Sequence, residues 1–299
     1  MKAPHFSRGS ALLLVMWALI LLSSAVLVWA RWMQHEIELS GTANREVEAR
    51  AMAQSGVAVA LHPLVTKQTP LLEEEFTERL GYRVRMVSEG GKLNIKWLLA
   101  EEDPRRITIL KQWLERRGLG FKERETFVDC LLDYVDGDDL SRLNGMEDEG
   151  EYHPPNRPLE TIDEIAEVPG SEPLTSTPGW RDELTLYSQG PIDVTSASPE
   201  VLRLLPGLSE ARIQRLIIVR QGPDKLDGTL DDRIFRSLTE VQRELMLNDA
   251  QFQELAPLIK ERDETIQIIS EGRSGEVVRQ IEVIARKSGP NPTIWHWKE

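Results

Sequence analysis

The chain has 299 residues, a hydrophobic fraction of 40% and a formal net charge of -13. This length allows one large domain or two small ones beside any anchor, and the acidity argues against nucleic acid as the main partner, because phosphate binding needs clustered Lys and Arg. Cys130 is the only cysteine, which excludes an intrachain disulfide.

Ser10 to Ala30 reads SALLLVMWALILLSSAVLVWA and carries no charge. As a helix rising about 1.5 Å per residue it spans roughly 31 Å, the thickness of a bilayer core. Lys2, His5 and Arg8 precede it, Arg31 follows it, and Trp29 and Trp32 suit a membrane interface. A secretory signal peptide is disfavoured. Its apolar region is usually about 7–15 residues, and its cleavage site follows that region. Here the small residue Gly9 comes first, directly after a basic leader. From Gln34 to Leu61, Ala, Val and Leu recur at three- and four-residue steps among charges. The spacing predicts one continuous helix that leaves the membrane and lays a face on a globular domain.

Arg83 to Val87 reads as a strand, and Lys92 to Ile95 as the end of one. Helical patterns then run from Trp97 to about Leu258. They cover Ile107–Arg117 (stopped by Gly118 and Gly120), Glu125–Tyr134, Leu159–Val168, Pro199–Leu204, Glu210–Arg220, Thr239–Leu245 and Asp249–Ile259. The helices around Leu205-Pro206-Gly207-Leu208 resemble a helix-hairpin-helix, and Glu167-Val168-Pro169-Gly170 resembles the turn of a weaker copy. DNA-binding hairpins use a second glycine so that backbone N–H groups approach phosphate. Ser209 stands there instead, and the Glu210 carboxylate repels phosphate, so a helical packing unit is expected. Strand patterns return at Thr265–Ser270, Glu276–Arg286 and Thr293–Lys298, with Glu271–Gly275 as the turn between the first two.

Acidic residues crowd between Asp133 and Glu151. Calcium takes six to eight oxygens, and neighbouring carboxylates repel unless a cation joins them. Asp133, Asp136, Asp138, Asp139, Glu147 and Asp148 are the candidate ligands of a structural calcium ion. Their spacing is not that of an EF-hand, so the match is chemical, and a solvated acidic loop is the alternative. Asp224, Asp227, Asp231 and Asp232, around Gly228, form a second candidate site, against which Lys225 counts. The chain has no glycine-rich phosphate loop, GxSxG, HExxH or CxxC, and no catalytic residues are assigned. His153, close to the acidic loop, keeps a membrane-tethered metal-dependent hydrolase as one alternative; a membrane-anchored module for DNA binding and uptake is another.

The basic leader, Gly9 and the apolar helix that starts at Ser10 resemble type IV pilin and pseudopilin precursors. The resemblance implies cleavage by a prepilin peptidase after Gly9 that leaves Ser10 as the mature N-terminus, although the family more often has a larger apolar residue there. The fifth position after that cut, a Glu in most of these proteins, is Leu14, and the first acid is Glu36. Without the carboxylate that pairs with a neighbouring amino terminus, the subunit suits the tip of a fibre. The segments Leu131-Leu132-Asp133-Tyr134-Val135-Asp136-Gly137-Asp138-Asp139, Asn144-Gly145-Met146-Glu147-Asp148 with Tyr152, and Ile192-Asp193-Val194-Thr195-Ser196-Ala197-Ser198-Pro199-Glu200-Val201-Leu202 resemble signatures of the minor pseudopilin K family of type II secretion. The family implies an α+β fold. A long N-terminal helix packs on an antiparallel sheet, and a large all-α domain with the hairpin unit is inserted.

The expected divisions are a leader over 1–9, a transmembrane part over 10–30, core over 31–95, insertion over 96–260 and C-terminal core strands over 261–299. The family also implies calcium in the insertion and a single pass through the inner membrane, with the N-terminus cytoplasmic and the bulk periplasmic. Its implied partners are the I- and J-type minor pseudopilins and the pseudopilus, its implied role the export of folded proteins.

Overall fold

One helix, α1 (Arg8–Leu61), runs for 54 residues and has two different surroundings. The computed structural model describes residues 8–299 apart from Gly228, Leu230 and Pro290, with side chains described outside 8–11 and 34–42. Leu12–Met33 has a mean hydropathy of 2.5 and is 0% buried. Within that stretch the Ser24 hydroxyl donates to the Ile20 carbonyl at 2.7 Å, so its polar group is satisfied inside the helix. Further along, Ala49, Ala53, Val57 and Ala60 recur at three- and four-residue steps and are buried. That stripe faces a sheet.

The sheet has five strands: β1 (Glu73–Glu75), β2 (Leu80–Ser88) and, far along the chain, three more that follow the insertion. β1 was not expected from the sequence. Its three glutamates favour no strand by themselves, and pairing of Glu74 with Tyr82 on β2 imposes the extended form. Charged residues at a sheet edge also discourage pairing with another chain.

The insertion opens with β3 (Leu93–Asn94) and α2 (Ile95–Leu99), then α3 (Pro104–Arg116) and α4 (Phe121–Val135). α4 starts earlier than its apolar pattern suggested, because the Glu123 side chain accepts from the Gly120 N–H at 2.7 Å and caps the first turn. The segment expected as a helix over 159–168 is a 3-10 helix, Ile162–Glu167. It is followed by α5 (Glu172–Thr175), β4 (Leu184–Thr185) and β5 (Ile192–Asp193). The hairpin unit consists of α6 (Pro199–Leu202) and α7 (Glu210–Arg220). α8 (Leu238–Glu244) and α9 (Asp249–Leu255) follow. α9 ends before Ile259 because Pro257 lies in a 3-10 turn, Ala256–Leu258, which leads into β6 (Ile259–Lys260).

The insertion is therefore not purely helical: β3 pairs with β4 and β5 with β6, both in parallel. It has its own core, including Leu93, Leu110, Phe127, Trp180, Leu216 and Ile259. A second core joins Ala53, Val57 and Ala60 of α1 to Val84, Ile268, Ile281 and Val283 of the sheet.

β7 (Thr265–Ser274), β8 (Val277–Arg286) and β9 (Thr293–Lys298) complete the sheet in the order β1-β2-β7-β8-β9, antiparallel throughout. The turn expected over Glu271–Gly275 is shorter: β7 continues to Ser274, and Gly275, at φ 59°, makes the reversal. Gly272 has a different purpose. It lies within β7 under α1, and a Cβ there would overlap the Ala49 carbonyl and the Ala53 amide of the helix. Ser270, two residues away on the same face, donates from its hydroxyl to the Ala53 carbonyl at 2.7 Å. At the far end, Lys287 donates to the Ala60 and Val65 carbonyls at 2.8 and 2.6 Å, closing the helix C-terminus.

A buried polar seam joins the two cores. Asp193, 1% exposed, accepts from Ser196 Oγ at 2.6 Å, Thr195 N at 2.9 Å, Ser88 Oγ at 3.1 Å and Asp263 N at 3.1 Å. Asp263 accepts from Lys260 Nζ at 2.5 Å, Thr265 N at 2.7 Å and Gln189 N at 3.0 Å. Burial pushes the Asp263 carboxyl up, but Lys260 and the two amides outweigh it and hold it below the ordinary carboxylate value.

The Gly272 contact yields a direct test. Gly272→Ala forces α1 off β7, and overpacking of this kind costs about 1–3 kcal/mol. The urea midpoint of the full chain in detergent should fall accordingly, whereas Gly275→Ala, with nothing near its Cβ, should cost only the strain of its positive φ.

Candidate metal centre

α4 carries its apolar face into the insertion core through Phe127, Leu131 and Tyr134, and Asp133 lies on the same buried side at 0% exposure. Asp136 caps the helix end. Both carboxylates meet the negative end of the helix dipole, an arrangement that calls for a cation. The chain then loops back and brings Glu147, 6% exposed, to the same place. Ligand oxygens of Asp133, Asp136 and Glu147 lie within 4.8 Å of one another. Gly145 makes the approach possible, since a Cβ there would overlap Asp133 Oδ2.

Arg142 lies at the rim of this cluster. Its backbone N–H donates to Asp133 Oδ2 at 3.2 Å, and its Nη1 donates to Asp133 Oδ1 at 2.6 Å and Asp136 Oδ2 at 2.5 Å. Its Nη2 donates to Glu102 Oε1 at 2.6 Å. One guanidinium does not satisfy the cluster: Asp136 Oδ1, Glu147 Oε1 and the Tyr152 hydroxyl are buried without a hydrogen-bond partner. Burial, followed by the charges of Asp133, Asp136, Asp139 and Asp138, pushes the Glu147 carboxyl above its ordinary value. Oxygen-only donors, two of them unpartnered, fit a hard divalent cation such as calcium.

The other expected ligands are engaged elsewhere. Asp138 Oδ1 accepts from Leu140 N at 2.9 Å, and Asp139 Oδ1 from Asn156 Nδ2 at 3.1 Å. Asp148 Oδ1 lies 2.8 Å from His153 Nδ1, and both side chains are exposed, so the histidine points to its own partner and not to the cluster.

In the second acidic loop, Asp231 accepts from Asp224 N at 3.0 Å and from Thr229 Oγ1 at 2.7 Å. Thr229 and then the Asp224 amide hold its carboxyl below the ordinary value. Asp224 accepts from Leu226 N at 2.8 Å and Asp227 from Gln221 Nε2 at 3.1 Å, while Asp232 pairs with Lys67 at 2.9 Å. Among the described residues these four do not converge as the first cluster does.

In the hairpin unit, Arg203 forks onto Glu210 at 2.8 Å through both Nε and Nη2. Arg203, then Gln214, holds the Glu210 carboxyl down at about 2. Leu14 is 71% exposed on the apolar half of α1. Gly9 and Ser10 lie in its first turn, where side chains are outside the described residues.

Arg142 and Gly145 are the site residues that the search for ligands missed. A lone arginine inside a run of acids was the available signal for the first. For the second, no pattern reveals that a backbone must pass against a carboxylate.

Residues 91–177 match the family model described as type II secretion system (T2SS), protein K. No curated protein sequence matches the chain. Among solved structures, it is similar to a chain of the crystal structure of the GspK-GspI-GspJ complex from the enterotoxigenic Escherichia coli type 2 secretion system. The TM-score is 0.58 at 13% sequence identity, over 89% of this chain and 98% of that one. Over residues 91–177, which include the whole acidic cluster, the chain is similar to the type II secretion protein K family, and its fold, a long N-terminal helix on an antiparallel sheet with a largely helical insertion, is similar to that of the solved chain.

Proposed function

We propose that this protein is a non-enzymatic structural subunit at the tip of a type II secretion pseudopilus, required for export of folded proteins across the outer membrane. The observation that carries this reading is the division of α1. Its Ala49–Ala60 half is fixed to the sheet, while Leu12–Met33 is apolar, 0% buried and long enough to cross a bilayer. Such a rod is stable in lipid or against other apolar helices. The reading places it in the inner membrane with the leader in the cytoplasm, prepilin peptidase cleavage between Gly9 and Ser10, and the folded part in the periplasm.

Leu14 supports the tip position. A carboxylate among apolar helices is costly unless a cation meets it, and the pairing acid of an ordinary subunit answers the amino terminus of its neighbour. Leu14 neither needs nor offers such a partner. The solved relative is a complex with GspI and GspJ. By that likeness, the partners here are minor pseudopilins of the I and J types. The acidic cluster binds calcium as a structural ion, tying the loop over 137–147 to the end of α4. His153 stands on Asp148 and not in the cluster, which favours a structural ion over a hydrolytic one.

Leu14→Glu should weaken recovery of the complex with I- and J-type subunits from membranes and reduce secretion; undiminished complex and secretion would contradict the tip assignment. Calcium at about a hundredfold excess over its dissociation constant should raise the melting temperature of the full chain in detergent by about 5–10 °C relative to chelator. Identical melting curves would mean a solvated loop. The raised Glu147 carboxyl makes its own contribution to the pH dependence in chelator. The native state holds that proton more tightly than the unfolded chain, so this contribution to stability is lost as pH rises from the ordinary carboxylate value through the raised one, opposite in sign to that of lowered carboxyls such as Asp263. Glu147→Gln should remove that contribution, as read from melting temperatures between pH 4 and pH 7, roughly the range over which such carboxyls titrate.

A further inference from the structure

Arg142 holds the oxygens that a cation at the acidic cluster would need. Its Nη1 lies 2.6 Å from Asp133 Oδ1 and 2.5 Å from Asp136 Oδ2. The side chain is 21% exposed, so it covers the mouth of a site whose floor, Asp133, is fully buried. The loop does not need this side chain to reach the site, because the Arg142 backbone N–H makes its own bond to Asp133 at 3.2 Å. A landing place also exists. Nη2 already donates to Glu102, whose side chain is 57% exposed. Glu101 and Glu102 have φ values of 57° and 49°, a strained pair of left-handed residues just before α3 that sets this carboxylate at the rim.

Resting on the calcium reading above, we infer that Arg142 is a built-in competitor for the cation. The guanidinium and the ion exclude one another from Asp133 and Asp136, and the ion enters when Arg142 swings outward onto Glu102. One positive charge leaves Asp136 Oδ1 and Glu147 Oε1 unanswered, whereas a divalent ion reaches all three carboxylates. A monovalent cation brings no more charge than the arginine it would have to displace. The arginine thus biases the site toward divalent ions and sets the concentration at which it fills. If the guanidinium occupies the site in about nine molecules of ten, the apparent affinity is about tenfold weaker than the intrinsic one.

The test is calcium titration of the full chain in detergent, by calorimetry and by melting temperature, for wild type, Arg142→Gln and Arg142→Lys. Arg142→Gln should melt below wild type in chelator, yet bind calcium about tenfold more tightly, with Arg142→Lys between them because it keeps the charge. A wild type that does not respond beside an Arg142→Gln variant that does would support the competitor while overturning calcium as the structural ion of the wild-type chain. If wild type binds calcium and Arg142→Gln binds equally or more weakly, the competitor is overturned and the calcium site stands. If neither binds, both fall. Asp133→Asn should abolish binding in every background; retained binding there places the ion elsewhere and overturns the inference.

Discussion

The close approach of α1 to β7 is the constraint on which the rest of the molecule depends. Small residues on the helix, Ala49, Ala53 and Gly56, meet Gly272 and Ser270 on the strand, and the backbones come too near for a Cβ at Gly272. This contact leaves the helix no freedom to slide or roll. The apolar half beyond it continues the same helix, and over Leu12–Met33 it is 0% buried. A helix that must face lipid or other helices at one end and a sheet at the other has two periodic demands in one sequence. The chain meets them by changing composition, from Leu and Val to Ala with charges, and not by breaking the helix.

The polar seam ties the sheet domain to the insertion. Chain ends that enter and leave a domain at Ser88 and Asp263 would act as hinges if only loops joined them. Asp193 prevents this by accepting from Ser88 on one side and from the Asp263 amide on the other, while Arg220, 6% exposed, donates to the Ala197 carbonyl at 2.6 Å beneath the same turn. The short parallel pairs β3–β4 and β5–β6 lie at the same two crossings. Buried charges of this kind contribute little net stability, but each is hydrogen-bonded from several directions, which fixes one relative placement of the two cores. The Ile192–Leu202 segment, noted in the sequence as a family signature, is this joint.

Where the fold was legible in the sequence, the cause was periodicity. The strands of the sheet other than β1, the continuity of α1 and the helices on either side of Gly118 and Gly207 all announce themselves by apolar patterns. The misses have other causes. β1 is extended because Tyr82 and its neighbours pair with it, a tertiary effect on a run of glutamates. Gly272 read as a turn residue because glycine usually marks one; its actual role is to lie against a helix more than two hundred positions earlier in the chain. Within the acidic run, Asp133, Asp136 and Glu147 converge while Asp138, Asp139 and Asp148 take local partners, and spacing alone does not separate the two groups. Arg142 was hidden by the expectation that only acids matter to a cation site.

The account stands most directly on the apolar rod remaining part of the finished subunit. N-terminal sequencing of the protein purified from membranes decides this. The account predicts a mature chain that begins at Ser10 and keeps the whole apolar segment. A mature chain that begins beyond Ala30 would contradict it, because the segment would then be a discarded signal and no helix would remain to anchor the subunit among its partners.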